Sequence, residues 1–487
     1  MKNDIIVIGC GVAGLSAALR AAQKGANVLL LERARFEERG GNSKYTEAYL
    51  RVSNESKISD DFEYMFAKLN SSYYDKSIEQ ISLYNNNLFY QNVRNYGLTD
   101  PKIIAAFAAH IPDTIAWLKK NGVSFLEAKP FSIQEQVSER MTPSGGGEAL
   151  IEILSDACEK AGVMIKYSTR VETLSLNSNN EINGVYAYKY SKLKKYKSNS
   201  VILASGGFQG NLEMMSRYFG KAASLTRPVS PGGLYNKGEG ISMALNIGAA
   251  PAGQYDAFHA EPIDPRSSKP EALVAILNFG IIVNKFGYRF TDEGINLYEL
   301  VYEDLSREIL KQKDGIAYFI YDSKIDDIPN YQRRIKSDKG PITGKSIYEL
   351  ADKLNIDKFS LYNTIINYNK SVQTGAFNHK VLDGKCTKGI MPKKSNWART
   401  LNENNLYAYP LECANCFTFG GLKISAEANV IDLDDRIIPG LYAAGEVIGL
   451  YYGSYVGSTS VLRGIVFGKI SGDNASNYCQ KKNIKKE

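Results

Sequence analysis

The run Gly9-Cys10-Gly11-Val12-Ala13-Gly14 has residue types and spacing suited to holding a pyrophosphate. Gly9 permits a tight turn, Gly11 lets the backbone approach phosphate, and Gly14 lets the following helix pack closely. The free N–H groups and positive dipole end of that helix then face the anion. Glu32 stands eighteen residues past Gly14, where a carboxylate accepts ribose hydroxyls. Cys413-Ala414-Asn415-Cys416 has the spacing of zinc and redox sites. A structural zinc needs four ligands, no second pair stands nearby, and no metal is expected. Histidine occurs three times, as His110, His259 and His379, so acid–base chemistry near neutral pH has few candidates.

The elements around these residues form a pattern. An apolar strand over residues 5–8 leads into the glycine turn, a helical periodicity covers 15–24, and a second apolar strand over 26–31 ends in Glu32. Strand, glycine turn, helix, strand and acid together predict dinucleotide binding. Short β-prone runs over 171–176 and 182–190 predict a meander that returns to the parallel sheet at 201–203. That strand ends in Ala204-Ser205-Gly206-Gly207, and residues 440–446 repeat the same strand-to-glycine turn before a helical pattern over 461–471. Three such turns imply one nucleotide-binding domain split along the chain. The expected fold is α/β, a Rossmann-like domain with a parallel sheet and a β-meander (residues 1–253 and 417–487), carrying an inserted α+β cap (254–416). Helices are expected in the cap over 299–313 and 346–374.

At 487 residues, 44% hydrophobic and 23% charged, the chain has the composition of a globular protein with two or more structural units. No apolar stretch approaches the roughly 18 residues that a membrane-spanning helix needs, so no membrane insertion is expected. The first strand begins too early to leave room for a signal peptide, which predicts a cytoplasmic protein. The net charge of +7 favours an anionic small molecule. The lysines of 189–197 and of the tail from Lys481 to Lys486 read as solvated surface, and no nucleic acid is expected.

The motifs resemble those of the fumarate reductase and succinate dehydrogenase flavoprotein superfamily: Gly9 to Gly14, Glu32-Arg33, Gly40-Gly41-Asn42-Ser43, Ala204 to Phe208, Phe419-Gly420-Gly421-Leu422 and Gly440 to Glu446 occur in that order. Residues 39–46 and 417–422 look most like FAD-dependent tricarballylate dehydrogenases, and Tyr452-Gly453-Ser454-Tyr455-Val456-Gly457 is also similar to the tyrosine loop of 3-ketosteroid dehydrogenases. The resemblance implies FAD, with its adenosine at Glu32 and Arg33 and its flavin at Gly40, Gly41, Asn42 and Ser43. It implies further cofactor contacts at Ala13, Val171, Ala204, Ser205, Gly206, Gly207, Gly445, Glu446, Ser460 and Val461. Asn42 and Ser43 stand where relatives with covalent flavin carry histidine, which implies non-covalent FAD. A segment similar to Pro143-Ser144-Gly145-Gly146-Gly147 lies near the active site in relatives.

Hydride transfer between flavin and a carbon–carbon bond builds negative charge on the activating group, so the site needs donors there and an acid or base at the second carbon. By resemblance His259 is the substrate contact, and Arg289 opens the Arg-Phe-Thr-Asp-Glu segment before the catalytic arginine. That arginine is missing: its place is taken by Leu297 and Tyr298. Cys416 or Phe417 replaces a second substrate histidine. Tyr298 and Tyr455 are the candidate stand-ins. The expected activity is that of an FAD-dependent dehydrogenase or reductase acting on CH–CH bonds of a tricarballylate-like polycarboxylate, with an electron-transfer partner. A ketosteroid-dehydrogenase-like enone or ketone enzyme using tyrosines is the alternative, and a catalytically silent flavin-binding subunit is the alternative of another class.

Overall fold

The computed structural model describes residues 3–53, 99–128 and 140–484, together with positions 58, 62 and 66. β1 (Ile5–Ile8) and β2 (Val28–Leu31) are buried along their whole length. A parallel strand covered on both faces has no solvent side and therefore reads as an unbroken apolar run. Between them α1 (Val12–Gln23) starts three residues before its apolar periodicity, because the glycine turn itself supplies the first helical turn. β3 (Met164–Lys166) joins the sheet beside β2. An antiparallel meander of β4 (Thr169–Leu176), β5 (Ile182–Lys189) and β6 (Lys192–Lys197) follows, then β7 (Ser200–Leu203) beside β1. The lysines of β6 are almost all exposed; Lys485 and Lys486 lie outside the described residues.

The inserted segment builds a sheet of its own from β8 (Phe258–Ile263), β9 (Ile281–Asn284), β10 (Ile316–Tyr321) and β11 (Leu406–Thr418), with α2 (Tyr298–Leu310) between β9 and β10. β11 pairs antiparallel with β8 and β10, and β10 with β9. Two apolar clusters formed by residues between Val274 and Leu411 stand apart from the main core. β11 runs through the boundary expected at residue 416, and its far end, Ala414, Cys416 and Phe417, joins the main core. The single helix expected over 346–374 is two, Ile347–Leu354 and Lys358–Ser371. Asn355 adopts a left-handed conformation that ends the first, and the Asp357 carboxylate caps the second by accepting from Ser360 N.

The chain then returns through β12 (Asn429–Ile431) and β13 (Ile437–Ala443) and finishes in α3 (Ser460–Ile484), far longer than the periodic stretch 461–471. The main sheet runs β12-β13-β7-β1-β2-β3, parallel except for the edge strand β12. β13, β7 and β1, the strands that end in glycine turns, are parallel neighbours, so the turns meet at the carboxyl ends of these strands.

α3 is held against α1 by a seam of glycines four residues apart. A Cβ on Gly468 would lie 2.5 Å from Ala13 O, one on Gly472 2.5 Å from Ala17 O, and one on Gly464 3.0 Å from Val12 Cγ1. Only hydrogens fit between the helices, and the start of α3 is thereby fixed over the first glycine turn. Gly468→Leu is expected to lower stability by about 1–3 kcal/mol or more, the usual cost of overpacking. Chemical denaturation measures this, and an unchanged midpoint would show that the seam is not tight.

Candidate active site

A cavity of about 610 Å³ runs from Glu32 to the cap and is lined by all three glycine turns. Gly9, Gly11 and Ala13 come from the first, Ala204, Ser205 and Gly206 from the second, and Gly445 and Glu446 from the third. Arg33, Gly40, Gly41, Asn42, Ser43, Val171, Ser460 and Val461 also line it. Gly14 and Gly207 do not, because both are spacers: a Cβ on Gly14 would lie 1.9 Å from Gly9 O, and one on Gly207 2.2 Å from Thr418 Oγ1. Gly9 takes φ +104° with its Cβ position 2.4 Å from Ala204 O. Gly11 differs, since a Cβ there finds its nearest protein atoms at 3.6 Å, Gly40 O and Ser43 Oγ. The room at Gly11 is a cradle for something other than the protein.

The Glu32 carboxylate accepts from Cys10 N and Ala34 N, both at 2.7 Å. Burial raises its pKa against those bonds. Arg33 pairs with Glu239 at 2.5 Å. Asn42 donates to Cys416 O and accepts from Ser230 Oγ, and Ser43 Oγ accepts from Val12 N, so this loop is tied to β11 and to the start of α1. The Gly-rich segment 145–147 does not line the cavity. It starts the helix Gly146–Lys160 and braces the loop from behind, with Gly147 N donating to Thr46 O.

The cap closes the other end. His259 on β8 lies among the rings of Tyr455 (4.4 Å), Phe417 (5.1 Å) and Tyr302 (5.6 Å). Its Nδ1–H donates to Glu303 Oε1 at 2.7 Å, and Nε2 stands 3.6 Å from Glu261 Oε1. Burial by itself would lower the imidazole pKa, but the two carboxylates outweigh it and raise it to about 9. The ring is an imidazolium at neutral pH. Tyr298, the first residue of α2, lines the cavity with its hydroxyl buried and without a hydrogen-bond partner among the described residues. Burial and Glu261 push its pKa well up. Lys336 Nζ stands 3.1 Å from Glu47 and 3.7 Å from Glu271. Burial and Glu261 raise Glu271 to about 7.

Two residues depart from expectation. Arg289 does not line the cavity: its guanidinium is buried in the cap, bonded to Glu293 at 2.6 and 3.0 Å and to the carbonyls of Thr291, Pro392 and Lys393. A group so fully engaged is a structural cross-link. Tyr455 lines the cavity, but its phenol oxygen accepts from Thr459 N and Ser460 N and its O–H donates to Ser460 Oγ, which caps the start of α3. Of the Cys413–Cys416 pair, Cys413 packs in an apolar cluster with Phe258 and Leu310, and Cys416 Sγ lies beside His259 and Glu261. Glu261, Glu271, Glu303, Lys336 and Arg463 were not singled out in the sequence. Glu303 had a weak signal, five residues after Tyr298 on one helix; the others had none.

Comparison with known proteins agrees with this geometry. The FAD binding domain family matches residues 4–462, and the chain belongs to it. A fumarate reductase (cytochrome) of Shewanella frigidimarina is 26% identical over 98% of this chain and 78% of its own length. A vinyl phenol reductase of Lactiplantibacillus plantarum is 25% identical over 99% of this chain and 98% of its own. The open conformation of a flavocytochrome c3 fumarate reductase superposes with a TM-score of 0.75 at 24% identity, covering 98% of this chain and 78% of that one. The protein is an FAD-dependent oxidoreductase with the flavoprotein fold expected. The Gly11 cradle, the buried Glu32 carboxylate and the start of α3 line one cavity, and these residues fit FAD.

Gly11→Leu is expected to fold with an unchanged circular dichroism spectrum and to lose FAD, read as the flavin absorbance of purified protein; a yellow variant would move the diphosphate elsewhere. His259 carries the second test. Its raised pKa adds stability that is fully present below about pH 6.5, the ordinary histidine value, and is lost as pH rises toward about 9. Melting temperature should therefore fall between pH 7 and 9 more steeply in the parent than in His259→Gln, and parallel curves would show a neutral imidazole. Glu271 is half-titrated near pH 7 and overlaps the lower part of this window, so the readout is the difference between the parent and His259→Gln curves above about pH 8.

Proposed function

We propose that this member of the FAD binding domain family transfers hydride between its flavin and a carbon–carbon bond conjugated to an uncharged carbonyl or hydroxyaryl group. The observation that carries this reading is the charge balance at the cap end of the cavity. His259 is held by Glu303 and Glu261, and Lys336 by Glu47 and Glu271. Arg51 donates to Gly457 O and Arg140 to Ser458 Oγ, neutral acceptors that position these cations without cancelling their charge. A polycarboxylate would add charges of the same sign beside three or four acids in a poorly screened space. The tricarballylate-like reading is therefore the weaker one, and the tyrosine-lined alternative fits better. The vinyl phenol reductase, matched over nearly its full length, supports a substrate without carboxylates.

FAD supplies the two-electron chemistry, and Asn42 and Ser43 in the flavin loop favour non-covalent binding. The residues of the chain supply protons and position. Tyr298, standing where relatives carry their arginine, presents an unpartnered O–H to the cavity and serves as the acid when the double bond is reduced. In the opposite direction the same oxygen takes the proton. Glu271, titrating near neutrality, lies within electrostatic reach of Glu261, which acts in turn on Tyr298. The His259 imidazolium polarises the activating oxygen of the substrate with Nε2–H, while Glu303 fixes its ring. Reducing equivalents come from an electron-transfer partner. No helix among the described residues is long and apolar enough to cross a membrane.

The test is anaerobic re-oxidation of the dithionite-reduced holoenzyme by 4-vinylphenol, a cyclic enone, fumarate and aconitate. The first two are expected to react fastest. Faster reaction with fumarate or aconitate would restore the polycarboxylate reading, and no reaction with any would favour the catalytically silent subunit. Tyr298→Phe should lower the rate with the best substrate by about 10²–10⁴-fold, the range of acid–base catalysis, while reduction by dithionite is unchanged. A rate within a few-fold of the parent would remove Tyr298 from the reaction.

A further inference from the structure

Arg463 stands in the first turn of α3, lines the cavity and is 1% exposed. Its Nε and Nη1 atoms are buried without a hydrogen-bond partner among the described residues. The guanidinium carbon lies 4.8 Å from the centre of the Tyr451 ring and 5.5 Å from that of Phe417. Ring faces offset part of the cost of burying the cation, but they leave its N–H groups unanswered. Glu446 feels the charge, yet its carboxylate is already engaged by Thr418 N at 2.9 Å and Asn236 Nδ2 at 3.0 Å. A buried guanidinium with idle donors is a strongly unfavourable arrangement unless an anion completes it.

Position decides between the two anions that could do so, a substrate carboxylate and the cofactor. The next residue, Gly464, abuts the first glycine turn, with its Cβ position 3.0 Å from Val12 Cγ1 and 3.6 Å from Ala13 Cβ. Gly445 and Glu446 of the third turn adjoin it, and Ser460 and Val461 of the same helix line the same wall. Arg463 thus adjoins the cofactor side, and the rings of Phe417, Tyr451 and Tyr455 stand between it and His259.

We infer that Arg463 is the fixed counter-charge of the reduced flavin, its guanidinium meeting the pyrimidine edge at N1 and C2=O. Two electrons and one proton enter the ring as hydride at N5 from the bond being oxidised, and the negative charge is left at N1–C2=O. The N-terminus of α3 adds its dipole on the same side, and charge near N1 tunes the electronics of a flavin. Reduction by hydride then needs no second proton. This assignment goes beyond the choice of substrate and does not depend on it.

The experiment uses FAD-loaded parent, Arg463→Met and Arg463→Lys, without substrate. Dye-coupled reductive titration gives the midpoint potential, and sulfite titration gives the affinity for an adduct that also leaves the ring anionic. Arg463→Met is expected to shift the reduction equilibrium by about tenfold or more toward oxidised flavin, which is 29.6 mV for a two-electron couple, and to weaken sulfite binding by a similar factor. Arg463→Lys should stay close to the parent. The parent potential should fall by about 30 mV per pH unit between pH 6.5 and 8, as one proton with two electrons requires. Potential and sulfite affinity unchanged in Arg463→Met, with a raised KM for a carboxylate substrate, would make Arg463 a substrate clamp instead. If Arg463→Met fails to retain FAD, the pH slope decides: a slope near twice that value in the parent would mean a neutral reduced ring and overturn the inference.

Discussion

One buried carboxylate joins the parts of the active site. Glu303, on α2 of the cap, accepts from His259 Nδ1 and Ala260 N through Oε1, and from Tyr455 N through Oε2. It thereby ties the cap helix, the strand that enters the cap and the tyrosine loop of the nucleotide-binding half. Burial alone would favour its protonated form, but the bonds from His259 hold it ionised. Removing one partner of such a pair strands a buried charge, typically at a cost of about 3–5 kcal/mol. The orientation of the imidazolium and the position of the loop beside the flavin follow from this one group.

The opposite wall is set by a different constraint, the absence of side chains. Glycines of α3 let it lie directly on α1, so the start of one helix sits over the turn that opens the other. The Tyr455 hydroxyl satisfies two N–H groups at that start. A phenol used in this way holds the helix end in place and leaves proton transfer to a freer group. Tyr298 is such a group, at the first position of α2, with nothing bonded to its hydroxyl.

The site can therefore be seen as a family scaffold with its charges redistributed. Acids surround His259 and Lys336, and a tyrosine, Tyr298, lines the cap end of the cavity. A buried arginine remains on the flavin side, at Arg463. On the proposed reading the cap end suits an activating group that accepts hydrogen bonds without carrying charge, and Arg463 answers the charge of the reduced cofactor. Both features follow from the cost of leaving charges unpaired away from water.

By itself the sequence determined the nucleotide-binding half. Strand, glycine turn, helix and acid are local features, with spacing set by backbone geometry, so Gly9, Gly11, Gly14 and Glu32 could be read without knowing their neighbours. His259 and Tyr298 were reached through resemblance, and both line the cavity. Charge pairing was illegible, because it depends on which elements meet. Arg289 and Glu293 satisfy each other within one segment, whereas Glu303 finds His259 from 44 residues away. Lys336 meets Glu47 across the two halves of the chain. Only the tertiary structure decided which cations meet acids and which meet neutral groups, since a charge has no fixed cost until its surroundings and partners are set.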